Sequence, residues 1–303
     1  MIRLAGQNDM PAVKRLWQNN FLKDDGGYTS YFFEHFYKDS LILVDEENGT
    51  VRGCACSRKH QLYVRPYKLD CSVIFGVAVD KKYRHRGIMH ALMDRMLEET
   101  AKRGSISLIQ SYEEGMYSSF GFEDLYLCKE YSLKTEYLPD RNLTGVEEKI
   151  YPRMYLRLYQ RFISHYNGSL CRNEKDIISY MDEVRSSSGR LLAYREYGRL
   201  KGLISYFPRG KKAIIEECLY LDLDALTKLL AALKGNYSEV VFSLSAQDNP
   251  ERFLTDWKPE IRKDTSIMIH DPQKLSRIMG YEVKKAKDLF RNNPKPLYFR
   301  ENK

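Results

Sequence analysis

The run Asp80-Lys81-Lys82-Tyr83-Arg84-His85-Arg86-Gly87 concentrates basic side chains just ahead of a glycine. Before it lies the apolar run Val73 to Val79. After it Ile88, Leu92, Met93, Met96 and Leu97 recur along one side of a helical pattern. A buried strand, a sharp charged turn and a helix opened by glycine make a place for an anion. The first helical turn has backbone N–H groups with no intrahelical acceptor, and the helix dipole adds positive potential there. Gly87 lets a phosphate approach the backbone, and Arg84, His85 and Arg86 add charge beside it. A pyrophosphate suits such a cradle. The run has neither G-x-x-x-x-G-K-[ST] nor the three glycines of a dinucleotide fingerprint, so those phosphate sites are excluded. A solvated turn capping a helix is the plainer alternative, and the strand–turn–helix order favours the anion site. Tyr117, beside Phe120-Gly121-Phe122, is one of 23 tyrosines, and by its neighbours alone it suits packing better than proton donation.

The elements that must position these residues alternate in type. Ile2 to Leu4 reads as a short strand. Asn8 and Asp9 offer caps for a helix through Met10, Val13, Leu16 and Trp17, and a second helix spans Tyr28 to Tyr37. Leu41 to Val44 and Val51 to Cys56 read as strands joined by Asn48-Gly49, two residues that tolerate positive φ. The helix after Gly87 extends to about Arg103, and Ser107 to Ile109 is the next strand. The stretch 137–145 breaks into turn-forming residues, which sets a domain boundary there. Beyond it, helices over Arg153–His165, Asn173–Val184 and Leu223–Lys234 mix with strands over Leu191–Tyr194, Gly202–Phe207, Ala213–Tyr220 and Glu239–Leu244. One further helix spans Lys274–Met279. The expected organisation is therefore an α/β chain of two mixed domains, 1–138 and 146–270, with a tail over 271–303.

Composition agrees with that plan. A chain of 303 residues, 43% hydrophobic and 30% charged, has room for two cores and is not of disordered type. No apolar run is long enough for a membrane span, and the N-terminus lacks a signal-peptide layout, so a cytoplasmic protein without membrane association is expected. The six cysteines are too sparse for a disulfide scaffold and lack zinc spacing, which points to reduced thiols and no metal. Cys54 and Cys56, two apart on a strand, should share a face. The net charge of +8 favours anionic partners but equally describes a solvated surface. Arg153 to Tyr159 interleaves arginine and tyrosine, yet reads better as an amphipathic helix than as a nucleic-acid surface.

Arg84-His85-Arg86-Gly87-Ile88-Met89 resembles the pyrophosphate motif [QR]-x-x-G-x-[GA] of the GNAT superfamily of N-acetyltransferases, with Met89 in the last small position. The longer run 82–93 resembles the enhanced-intracellular-survival branch, where a bulky residue is usual there. Residues 111–122, Ser-Tyr-Glu-Glu-Gly-Met-Tyr-Ser-Ser-Phe-Gly-Phe, resemble that branch's A-S-E-x-x-I-Y-x-x-F-G-Y segment. The resemblance implies tandem GNAT folds, an active N-terminal one followed by a degenerate one. Ile267 to Leu275 is similar to the branch's junction with a sterol-carrier-like third domain, which is expected to be missing here.

What the resemblance implies for activity is transfer of acetyl from acetyl-CoA to a primary amine, on an aminoglycoside-like polyamine or a lysine side chain. Main-chain groups along Val77, Ala78 and Val79 would meet the pantetheine arm. The amides of His85, Arg86, Gly87, Ile88, Met89 and His90 would hold the pyrophosphate beside Arg84. Tyr117 would be the general acid toward the departing thiolate, and the family's Ser-Glu cofactor contact falls on Tyr112 and Glu113. The branch uses its terminal carboxylate as base, which here would be that of Lys303, with Asp70 and Glu113 as alternatives. A homo-oligomer is consistent with the branch. A non-catalytic acyl-CoA sensor is the alternative that keeps the cradle without turnover.

Overall fold

A computed structural model of the chain describes residues 1–21, 27–110, 115–293 and 295–300. Along the first stretch run β1 (Ile2–Leu4), α1 (Met10–Asn20), α2 (Tyr28–His35), β2 (Leu41–Glu47), β3 (Thr50–Val64), β4 (Tyr67–Val79), α3 (Ile88–Ala101) and β5 (Ile106–Gln110). Next come β6 (Glu123–Lys134), β7 (Val146–Glu147), α4 (Pro152–Ile163), α5 (Glu174–Ser186), β8 (Arg190–Glu196) and β9 (Arg199–Arg209). The chain closes with β10 (Lys212–Tyr220), α6 (Leu223–Ala231), β11 (Glu239–Ser245), β12 (Glu260–Ile269) and α7 (Pro272–Met279). Among the described residues no helix is long and apolar enough to cross a membrane.

Two units emerge. The first holds Met1–Leu125 and Lys263–Pro294, the second Tyr126–Arg262 and Lys295–Asn302. Each is therefore discontinuous in sequence, whereas the sequence reading expects continuous blocks. The physical reason is strand exchange. β5 is paired antiparallel by β12, through Thr265↔Gln110 to Ile269↔Ile106, while β6, which follows β5 in the chain, pairs antiparallel with β11.

In the first unit β1 to β4 pair antiparallel in order, β4 then pairs parallel with β5, and β12 closes the far side. Asn48 and Gly49, at φ 50° and 75°, make the two-residue β2–β3 turn expected from their tolerance of positive φ. Period-two alternation sorts the side chains. Ile42, Val44, Cys54 and Cys56 join Val13, Leu16, Trp17 and Phe32 of α1 and α2 in one cluster, so the two thiols share a face as expected. Leu41, Leu43, Ala55 and Ile74 join Leu92, Met93 and Met96 of α3 in the other. Burial holds the Cys54 thiol up at about 12, and no disulfide joins cysteines among the described residues.

The second unit repeats the pairing order. β7 to β10 are antiparallel in sequence, β10 and β11 are parallel, and β6 closes the far side. Its helices α4, α5 and α6 follow the same places in the chain order as α1, α2 and α3. Its core gathers Tyr131, Ile204, Leu226, Leu229, Phe242 and Trp257.

Candidate functional site

β4 and β5 run together only part of the way. Their parallel ladder covers Cys71↔Ile106 to Ile74↔Ile109. Just beyond it, β4 bulges against β3 between the partners of Cys56 and Cys54, which are Phe75 and Ala78. Gly76 sits in the bulge at φ 61°, and a Cβ there would run into the Trp17 ring of α1. A bulge bends its strand and ends the neighbouring ladder. Among the described residues, Phe75–Val79 therefore has a strand partner only in β3. Asp80 N–H donates to the Arg52 carbonyl at 2.8 Å, and alternation along the strand turns the main-chain groups of Val77 and Val79 to the opposite, open side. That edge can accept and donate hydrogen bonds to an extended ligand.

The turn after β4 is locked by its own contacts. Asp80 Oδ1 accepts from Lys82 N–H at 2.9 Å, and Tyr83 N–H donates to the Asp80 carbonyl at 2.8 Å. His85 and Gly87 are both left-handed, at φ 61° and 76°. Gly87 stands at the N-cap of α3 with no side chain to cap it, and the first intrahelical bond runs from Ala91 N–H to the Gly87 carbonyl. The N–H groups of Ile88, Met89 and His90 consequently have no intrahelical acceptor. Lys81, Lys82, Arg84, His85 and Arg86 are all exposed around them. Positive field and free donors coincide, which is what an anion requires.

Arg84 is engaged at the edge itself. Its Nη2 donates to Asn20 Oδ1 at 2.5 Å, at the end of α1, and its Nε reaches the Val79 carbonyl at 3.4 Å. Arg86 lies 5.5 Å from the centre of the Tyr83 ring. Ile88 and Met89 direct their side chains into the α3-side cluster, which is why an apolar residue fits at Met89. His90 is exposed and rests its ring against Phe120, with centroids 4.7 Å apart.

Tyr117 is buried in that same cluster with Ile88, Phe120 and Phe122, and Val77, Val79 and Met89 pack against it. Burial pushes its phenol up to about 12. No hydrogen-bond partner meets its hydroxyl among the described residues. A protonated, unspent donor thus stands by the open strand edge and the helix N-terminus.

The fold does not bring every expected residue to this place. Asp70 lies nine residues before Val79 on β4, about 30 Å away along an extended strand. It is held by Gln61 and Lys59, each at 3.0 Å, and these contacts pull its carboxyl below the usual range. That removes it as a base. Tyr112, Glu113 and Lys303 fall outside the described residues. Two contributors escape the sequence reading, Gly76 with Trp17, and Asn20. A glycine inside an apolar strand does signal a bulge or close backbone approach; nothing in the sequence marks Asn20 as Arg84's partner.

The family described as an acetyltransferase (GNAT) domain matches residues 1–124. No curated protein matches the chain in sequence. Solved structures match almost its whole length at low identity. A GCN5-related N-acetyltransferase from Anabaena variabilis superposes with a TM-score of 0.75 at 15% identity, covering 91% of this chain and 74% of that one. A probable N-acyltransferase from Enterococcus faecalis gives 0.73 at 17%, covering 89% and 72%. Eis1 from Mycobacterium abscessus gives 0.65 at 14%, covering 91% and 75%. These likenesses establish the fold.

Proposed function

We propose that the chain, whose residues 1–124 match the family described as an acetyltransferase (GNAT) domain, transfers acetyl from acetyl-CoA to a primary amine by direct attack. The observation that carries the reading is the open edge of β4 at Val77 and Val79 beside the uncapped start of α3. The residues fit the co-substrate piece by piece. The edge takes the pantetheine amides, the free N–H groups of Ile88, Met89 and His90 take the pyrophosphate, and Tyr117 is left at the thioester. Arg84 must release Asn20 to add its charge to the phosphates.

The chemistry then balances. A neutral amine attacks the thioester carbonyl carbon and forms a C–N bond. The tetrahedral adduct expels sulfur as the C–S bond breaks, and the amine nitrogen gives up a proton to a base. Tyr117 donates its phenolic proton to the leaving sulfur, so that a thiol and not a thiolate departs. A phenol held up at about 12 is protonated at neutral pH, the form in which it can donate.

The test is thiol release against a panel of amines, among them lysine peptides, polyamines and aminoglycosides. Release that depends on both acetyl-CoA and an amine supports the reading. Saturable acetyl-CoA binding without release from any amine would make the chain a sensor, and absence of binding would remove the site.

A further inference from the structure

The second unit has a cleft at the same step of its sheet, and it is filled from within. β10 and β11 pair in parallel only over Lys212↔Glu239 to Ile214↔Val241. β10 then bulges against β9 between Ile215 and Glu217. In the first unit β4 leaves β5 after Ile74 and bulges just after Phe75. The two partings therefore correspond, although Glu216 stands where the first has Gly76.

Into the second parting lies the extended segment 295–300. Ser245 Oγ, at the end of β11, donates to the Leu297 carbonyl at 3.0 Å. From the other lip, the carbonyl of Glu216 in the β10 bulge accepts from Arg300 Nε at 2.9 Å. Between them the main chain pairs with residue 167: Asn167 N–H donates to the Pro296 carbonyl at 2.8 Å, and Tyr298 N–H to the Asn167 carbonyl at 3.1 Å. Ser169 Oγ donates to the Tyr298 carbonyl at 2.9 Å. Arg172, half-buried as a residue with its side chain 7% exposed, donates one nitrogen to the Arg300 carbonyl at 3.0 Å and another to Glu217 at 2.7 Å. Tyr298 is buried against Phe162 and Tyr166, with ring centroids 5.0 and 5.3 Å away.

The start of α6 completes the contrast. Asp222 caps it, its Oδ1 accepting from Ala225 N–H at 2.9 Å, and Asp224 follows in the first turn. A carboxylate already occupies one of the donors that an uncapped helix would offer to phosphate, and its charge repels an anion.

We propose that the cleft of the second unit is a binding site for an extended peptide main chain, filled in cis by residues 295–300, in place of a nucleotide cradle. It stands on this unit's own contacts and not on the acetyl-transfer reading.

Backbone hydrogen exchange on the full chain, with and without acetyl-CoA, tests it. The amides of Asn167 and Tyr298 should exchange at least about 10³-fold more slowly than in an unstructured peptide, and acetyl-CoA should leave them unchanged. Near-unstructured rates, or loss of protection on adding acetyl-CoA, would overturn the proposal. Acetyl-CoA should slow exchange at Ile88 to His90, and failure to do so would refute only the first unit's cofactor reading. A chain ending at Asn293 should bind the hexapeptide Lys-Pro-Leu-Tyr-Phe-Arg one to one, and Arg300→Ala in the peptide should weaken binding at least tenfold. A shortened chain that gains a second acetyl-CoA site would contradict the idea. Should it not fold, full-length Arg300→Ala serves: Tyr298 exchange should quicken at least tenfold while β4–β5 amides hold, and unchanged exchange at Tyr298 would sink it.

Discussion

Tyr117 has a ring fixed by apolar neighbours and a hydroxyl that meets no hydrogen-bond partner among the described residues, a combination that suits a proton donor and makes a clear kinetic prediction. Tyr117→Phe should keep the packing and lower kcat about 10²-fold or more, with KM for acetyl-CoA unchanged. Burial raises this phenol from 10.0 to about 12, so the donor form stays populated across neutral and mildly alkaline pH. Its contribution to stability is accordingly full below pH 10 and lost as pH rises through about 12. A kcat left unchanged in Tyr117→Phe would contradict the assignment, and an alkaline limb near pH 10 that vanishes in the variant would keep the donor but contradict its upward shift. The two site glycines separate in the same way. A Cβ on Gly87 meets open space, so Gly87→Ala should lose only the left-handed preference, about 1–2 kcal/mol, as read by denaturant unfolding. Gly76→Ala meets the Trp17 ring as well, and should cost about 1–3 kcal/mol more. Trp17→Leu should recover part of that added loss.

Elements were legible where local pattern and burial agree. The α1 and α3 helices, the β2–β3 turn and the strand leading to the cradle follow from apolar spacing and from Asn48-Gly49. β6 escapes the sequence because Lys129, in its alternating inward set with Tyr131 and Leu133, looks like a surface residue. It is buried, and its charge is met by Glu251, by Asn249 Oδ1 at 2.7 Å and by the Asp248 carbonyl at 2.9 Å, partners far along the chain. β12 escapes for a simpler reason: residues 260–263 are exposed, and of its buried residues Thr265, Ser266 and Ile267 only the last is apolar. The two helices that follow the parallel-paired strands differ in their starts. Asp222→Ala should lower stability by about 0.5–2 kcal/mol through loss of the α6 cap, with thiol-release kinetics untouched. A comparable loss of acetyl-CoA affinity in that variant would mean that α6 takes part in cofactor binding.

At the scale of the whole molecule the decisive feature is the exchange of closing strands, and it could not be read from sequence order. A hairpin from β5 to β6 is the local expectation, whereas β5 takes β12 and β6 goes to β11. Tyr117 was legible through its resemblance to a family segment, and the anion cradle through charge and glycine placement. The open β4 edge needed the bulge at Gly76, which an apolar run conceals. A fragment ending at Leu125 lacks β12 and leaves β5 with a bare edge, a known route to association. It should fail to give a folded monomer by size exclusion and circular dichroism. Joining residues 263–293 to it by a flexible linker should restore one, and a well-folded monomeric 1–125 would refute the exchange as a requirement.

The most direct measurement of the central claim is a titration of the full chain with acetyl-CoA followed at backbone amides by NMR. Saturation at one equivalent is expected, with the largest changes at Val77, Val79 and Ile88 to His90. Saturable binding that leaves those amides unmoved, or shifts those of β10 and α6 instead, would contradict it.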